Sequence, residues 1–328
     1  MRSMRQTMKI TPSSKPNQRA NRTNNSGSES PWRTEREYIE RATTNSNISI
    51  ADIVSNLHRI SVEGYFDGTK NHFNHVIANK LNLRCSVTGN PILRIGVVHG
   101  CYVLIPSHIN NELIAPSVAD IVNSDVEAVV DLGCGWGRNL FHIRQLTKES
   151  RPNLKFFGCE ISEDGRKAGT LLSQLDPGFD VEFVPFDFNF PNFSFLSAQE
   201  NIVALTCHAI EQVQNIGRGV FESLAASCPK VRCIHAEPIG WQFEDKIMSH
   251  LDSDEGAFLN MGDEKFLVGG PVNHRISAFT AVFSGWNKNL KAVLDELSEN
   301  KVINIQWVEK DICGDTFYNP TTMICWHN

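Results

Sequence analysis

The stretch EAVVDLGCGWGRNLF at positions 127–141 constrains this chain more than any other. An apolar, β-branched run ends at Leu132, Gly133, Gly135 and Gly137 alternate through a turn, and a helical pattern begins at Arg138. Glycine loses more conformational freedom on ordering than any other residue and packs nothing. Three in one turn therefore mark a backbone that something must approach closely. A strand that enters such a turn and leaves it as a helix aims main-chain N–H groups and a positive helix end at a ligand.

Beyond residue 125 the sequence alternates strand and helix as a parallel α/β sheet does. Strands are expected at 127–132, 154–159, 180–186, 201–206 and 231–236, with helical stretches between most of them. WNKNLKAVLDELSEN then reads as a helix, and 301–312 and 321–328 as two strands with no helix between them, which implies an antiparallel closing pair. Residues 252–272, rich in acids and glycine, read as an irregular insertion able to act as a lid. Upstream, SIADIVSNLHRI and TKNHFNHVIANKLNL carry helical stripes, the first capped by Ser49, and PILRIGVVHGCYVLIP reads as a hairpin. The division expected is a basic, disordered tail over 1–36, a helical and hairpin cap over 37–124, and the main domain over 125–328.

The glycine spacing is G-x-G-x-G, not the G-x-G-x-x-G of dinucleotide folds, and Arg138 stands where that pattern needs a small residue. Asp131, two positions before the first glycine, would repel a pyrophosphate and suits a ligand with a positive amino group. VVDLGCGWGRNLF resembles the first motif of class I S-adenosylmethionine-dependent methyltransferases, and the resemblance runs from about residue 126 to 328. FFGCEIS ends a strand in Glu160, where that family holds the ribose hydroxyls; FVPFDFN ends another in Asp187 and Phe188, where it holds the adenine. The resemblance implies a seven-stranded Rossmann-like sheet, mostly parallel with an antiparallel last strand. It also implies S-adenosyl-L-methionine as cofactor, bound by Asp131, Gly133, Cys134, Gly135, Gly137, Asn139, Glu160, Ile161, Asp187, Phe188 and Thr206.

Methyl transfer is a displacement in which the protein aligns a nucleophile and, for oxygen, removes a proton. In that family the acceptor sits beyond the fourth and fifth strands, here LTCHAIEQVQN and IHAEPIGWQ. His208 is the expected general base, Glu211 its orienting partner and Glu237 the second wall; His235 reads as core packing. No metal is expected, because only two glutamates are at hand. His72 and His75 read as exposed helix positions, and Tyr65 and Phe66 as candidates to cover the donor. A small polar acceptor methylated on oxygen is the leading reading, and HAIEQV, EPIGWQ and NPTTMICW resemble methyltransferases of sugar or natural-product type. A nitrogen acceptor on a peptide or amino compound and a non-catalytic donor-binding fold are the alternatives.

Composition narrows the partners. With 31 Lys and Arg against 37 Asp and Glu, the net charge is −6, and the folded part has no basic, aromatic-studded stripe for nucleic acid. No apolar run approaches the ~20 residues of a membrane span. The nine cysteines form no C-x-x-C pair, which suits a reduced, cytoplasmic compartment with thiols as small hydrophobes. An organellar address in the acid-poor first thirty residues is the alternative. A homodimer is left open.

Overall fold

The computed structural model describes residues 32–44, 48–54, 57, 93–98, 101–106, 114–251, 258–261, 264–267, 271–314 and 320–328. Tyr65, Phe66, His72 and His75 lie outside them, as does nearly all of the basic tail.

The glycine stretch folds as its pattern demands. β3 (Ala128–Leu132) is buried at every position, and its alternate side chains feed two separate cores. Val129 joins one with Leu140 and Ile143 of α3 (Arg138–Thr147); Val130 and Leu132 join the other with Phe221 and Leu224 of α5 (Arg218–Ala225). A strand buried on both faces needs a helix layer on each side. The first layer holds α1 (Arg33–Thr43), α2 (Ile114–Ile121), α3 and α4 (Glu163–Ser173); the second holds α5 and α8 (Leu290–Glu299).

From β3 the chain winds outward through β4 (Lys155–Glu160) to β5 (Val181–Pro185). It then returns to the other side of β3 with β6 (Asn201–Cys207) and continues to β7 (Lys230–Glu237), all parallel. The winding reverses between β3 and β6, the switch point at which an open wound sheet has its ligand-binding crevice. β11 (Thr321–His327) pairs antiparallel with both β7 and β10 (Asn304–Gly314), the closing pair expected from the sequence. The architecture is Rossmann-like α/β, with an antiparallel last strand.

Two features depart from expectation. The hairpin of β1 (Leu93–Val98) and β2 (Cys101–Pro106) extends the sheet instead of lying over it: Val97 and Val98 pair with Gly314 and Cys313 at the end of β10, so the sheet has nine strands among the described residues and not seven. β1 takes the edge of β10 that β11 leaves free: Cys313 pairs with Val98 on one side and with Thr321 on the other. The insertion is also more regular than its composition suggests. It carries a two-stranded ladder, β8 (Phe258–Met261) with β9 (Glu264–Leu267), between α6 (Asp245–Leu251) and α7 (Val272–Ser284). Upstream, Ser49 caps a helical turn over residues 50–54: its hydroxyl accepts from Asp52 N at 3.2 Å, and Asp52 returns the contact to Ser49 N.

Candidate functional site

Each glycine of the turn has positive φ (80°, 57° and 88°), a region costly to any residue with a Cβ. Each also makes room for a different neighbour. A Cβ on Gly133 would stand 2.4 Å from the Cβ of Ala209, in the loop after β6; one on Gly135 would stand 2.7 Å from the ring of Trp32. The third serves the ring of Phe183 on β5, which nests where Gly137, Gly158 and Gly169 all lack side chains. So the turn is pressed by the protein itself on several sides. Trp32, at the start of α1, also lies against Gly165, and Arg36 ties α1 to Asp164 of α4 at 2.7 Å. Sequence patterning gave no sign of Trp32, because this contact depends on how α1 packs.

At the β3 end of the crevice Asp131 is fully buried. Its Oδ2 accepts from Asn139 Nδ2 at 3.3 Å, while Oδ1 has no hydrogen-bond partner among the described residues. Burial, more than anything else, pushes its carboxyl up to about 7. Cys134 is buried beneath the turn, and burial drives its thiol far up, so it behaves as a small hydrophobe. Glu160 ends β4 as a brace: Oε2 accepts from Gly135 N at 2.9 Å and Oε1 from Ser162 N at 2.8 Å. Burial raises its carboxyl and those amides pull it back. Ile161 is 61% exposed, unusual for isoleucine, and faces the same end of the sheet as the half-buried Phe188. Asp187 uses Oδ1 to accept from Asn189 N and Nδ2 at 2.8 and 3.0 Å, an Asx turn beyond β5. Thr206 stands apart from this group, fully buried in β6 with its hydroxyl 3.0 Å from His235 Nδ1.

Across the crevice, β6 leads into His208, whose φ of 51° is left-handed. Such strain persists where the surroundings over-determine it, and here they do. His208 N donates to Ala236 O at 3.0 Å. The carboxylate of Glu237 accepts from three successive amides: Ala209 N and Ile210 N on Oε1 at 3.2 and 3.1 Å, and Glu211 N on Oε2 at 3.1 Å. Glu237 is completely buried and burial still carries its carboxyl to about 7, Glu211 adding to the rise. Its oxygens serve the loop's backbone. His208 Nε2 lies 2.9 Å from Thr321 Oγ1, and Nδ1 lies 3.5 Å from Glu211 Oε1. Glu211 Oε1 accepts from Gln212 Nε2, and its buried Oε2 has no partner among the described residues. His235 is a core histidine: Trp326 Nε1 donates to its Nε2 at 2.8 Å, and burial lowers its pKa to about 3.

A second polar cluster was not legible in the sequence. His274 of α7, almost fully buried, sits between Glu244 Oε1 on Nδ1 at 3.2 Å and Asp311 Oδ2 on Nε2 at 2.9 Å. Asp311 has φ 56° and lies in the irregular register of β10 between Glu309 and Cys313, so a bulge turns it toward the helix. A Cβ on Gly240 would stand 2.5 Å from Asp311 Oδ1, tying the cluster to the turn after β7. Residues this far apart in sequence meet only through the bulge.

Among the described residues no group of three or more histidine, cysteine or acidic side chains has metal-holding geometry. No described helix is long and apolar enough to cross a membrane. Two surface clefts lie at the opposite, amino ends of the strands, beside Arg151 and Lys155 and beside Lys230 and Arg232.

No family model matches the chain, and no curated protein matches it. Among solved structures it is similar to EvdMO1, at 10% identity over 68% of this chain and 41% of that one, with a TM-score of 0.37. It is similar to geranyl diphosphate methyltransferase in complex with GPP and sinefungin, at 10% identity over 66% and 77%, TM-score 0.40. A SAM-dependent methyltransferase from Aquifex aeolicus gives 12% identity over 68% and 93%, TM-score 0.36. The chain thus spans less than half of EvdMO1. Likenesses this distant carry no argument about chemistry, which rests on the crevice itself.

Proposed function

We propose that the chain is an S-adenosylmethionine-dependent methyltransferase that methylates an oxygen of a small polar acceptor, with His208 as general base. One observation carries the reading: Asp131 presents a buried carboxylate oxygen without a partner among the described residues, beside a glycine turn, at the point where the sheet reverses its winding. A carboxylate in that position wants a cation. The amino group of the donor supplies one, directly or through water.

The other residues fit the same ligand. Glu160 spends one lone pair of each oxygen on Gly135 N and Ser162 N and keeps acceptor capacity for ribose hydroxyls. Ile161 and Phe188 offer apolar surface for adenine, and Asp187 Oδ2 lies outside the Asx turn. The bound sulfonium supplies an electrophilic methyl group. The chain's own work is to place the acceptor, exclude water and take a proton. His208 stands at the β6 side of the crevice, and Glu237 serves it by fixing the loop. Glu211, whose Oε1 lies 3.5 Å from His208 Nδ1 and whose buried Oε2 has no partner among the described residues, also favours a second reading, in which the acceptor is an amine held as a cation before transfer.

Calorimetry with S-adenosylhomocysteine tests the donor site. Binding by the wild type that weakens at least tenfold in Asp131→Asn and Glu160→Gln supports the reading; absence of binding by the wild type overturns it.

A further inference from the structure

Trp32, the residue that leads into α1, lays its indole across two glycines from two different elements. A Cβ on Gly135 in the turn would stand 2.7, 3.0 and 3.1 Å from Cζ2, Cη2 and Cε2, on the benzo side of the ring. A Cβ on Gly165, in the first turn of α4, would stand 3.0 Å from Cδ1 on the pyrrole side, and 3.0 Å from both Glu160 Cγ and Gly135 O. Glycine weakens a helix relative to alanine. At 165 it has a cause, because the ring fills the space a side chain would need. Ring, turn, helix and Glu160 meet at one point.

We propose that Trp32 is the positioning residue of the donor site: its indole presses the glycine turn onto Glu160 and so sets that carboxylate for the ribose hydroxyls. The inference rests on the crevice binding the donor. Glu160 is held on one side by a local bond, Ser162 N to Oε1 at 2.8 Å, which the start of α4 supplies. The other bond, Gly135 N to Oε2 at 2.9 Å, joins residues 25 positions apart on separate elements. It is a charge-assisted bond, strong but dependent on geometry, and it lasts only while the turn keeps its place. Bare glycines hold a backbone poorly, and the flat ring over them supplies what they lack. α1 is anchored for that task. Ile39 and Ala42 are buried in the same core as Trp136 and Leu140, and Arg36 Nε meets Asp164 Oδ1 at 2.7 Å, one residue from Gly165. A segment upstream of the main domain thus completes the ribose end of the crevice.

The Gly135 amide reports the hold directly. Labelling full-length protein with carbonyl-¹³C cysteine and ¹⁵N glycine leaves two signals in an HNCO spectrum, from Cys134–Gly135 and Cys313–Gly314, and Cys313→Ala removes the second. The Gly135 proton is expected downfield in the wild type, as for an amide on a carboxylate. It moves upfield in Trp32→Leu and keeps its place in Trp32→Phe, whose ring still covers the turn. Affinity for S-adenosylhomocysteine falls about tenfold in Trp32→Leu, the worth of one hydrogen bond to a charged group, and is retained in Trp32→Phe. Arg36→Gln frees α1 from α4 without touching the ring and gives the same upfield shift, so the test stands even if Trp32→Leu does not fold. A Gly135 signal unmoved in whichever of these two variants folds, or donor affinity unchanged where the signal moves, overturns the proposal. Absence of binding by the wild type removes the methyltransferase reading, while the Gly135 signal still decides whether Trp32 holds the turn.

Discussion

Gly133 and Ala209 meet across the switch point of the sheet so closely that a methyl group on the glycine would stand 2.4 Å from the alanine Cβ. The contact places the loop bearing His208 directly against the glycine turn. Gly133→Ala adds both a clash and a left-handed φ of 80° to a residue with a side chain. Together these cost about 2–4 kcal/mol, seen as a fall of several degrees in Tm. A Tm within one degree of wild type would show that Ala209 does not rest on the turn.

Binding at Asp131 should depend on pH. Its carboxyl is raised to about 7, and a bound cation favours the ionised form. Affinity for S-adenosylhomocysteine is therefore expected to rise as pH passes from 6 to 8, with a proton released on binding below about 7. Calorimetry in buffers of different ionisation enthalpy counts that proton. Asp131→Asn should abolish the release.

Stability should show the same groups with the opposite preference. Asp131 and Glu237 are both near 7 in the fold, against ~4 for an unfolded chain. The folded state holds their protons more tightly, so their contribution is complete below pH ~4 and is lost as pH rises through about 7. The stability of Asp131→Asn relative to wild type should grow by on the order of 2–4 kcal/mol between pH 4 and 8. Urea denaturation across that range measures it, and a constant difference would contradict the burial-driven shift.

His274 joins the helix after the insertion to the β10 bulge and to the residue before α6. His274→Gln cannot satisfy both carboxylates, and the loss is expected to be about 2 kcal/mol, held down by the partial exposure of Glu244. Hydrogen exchange should locate the loosening in α7 and around Gly240. Unchanged protection in both places would mean that the cluster does not tie them together.

How much of this was legible depended on whether the cause was local. The strands from β3 to β7 and the closing pair show in the sequence because burial on two faces writes long apolar runs and turns punctuate them. Asp131, Glu160, Asp187 and His208 could be singled out because each stands at or just past the carboxyl end of a strand, where a wound sheet gathers ligands. The rest arises from packing. Nothing local says that Trp32 lies on Gly135, that Glu237 is spent on three amides, or that Asp311 turns inward at a bulge. The helix Val272–Ser284 also escaped, since its first residues mix polar and apolar side chains without a clear stripe.

Among the described residues the hairpin of β1 and β2 pairs with the main sheet through the last two residues of β10, more than two hundred positions later in the chain. During synthesis the ribosome delivers the hairpin long before the strand that receives it. The β1 rim that β10 will meet therefore waits with unpaired amides while every parallel strand is made. Joining it to the sheet belongs among the final events of maturation, and a nascent chain stalled before residue 313 would leave that rim open to pairing with its neighbours.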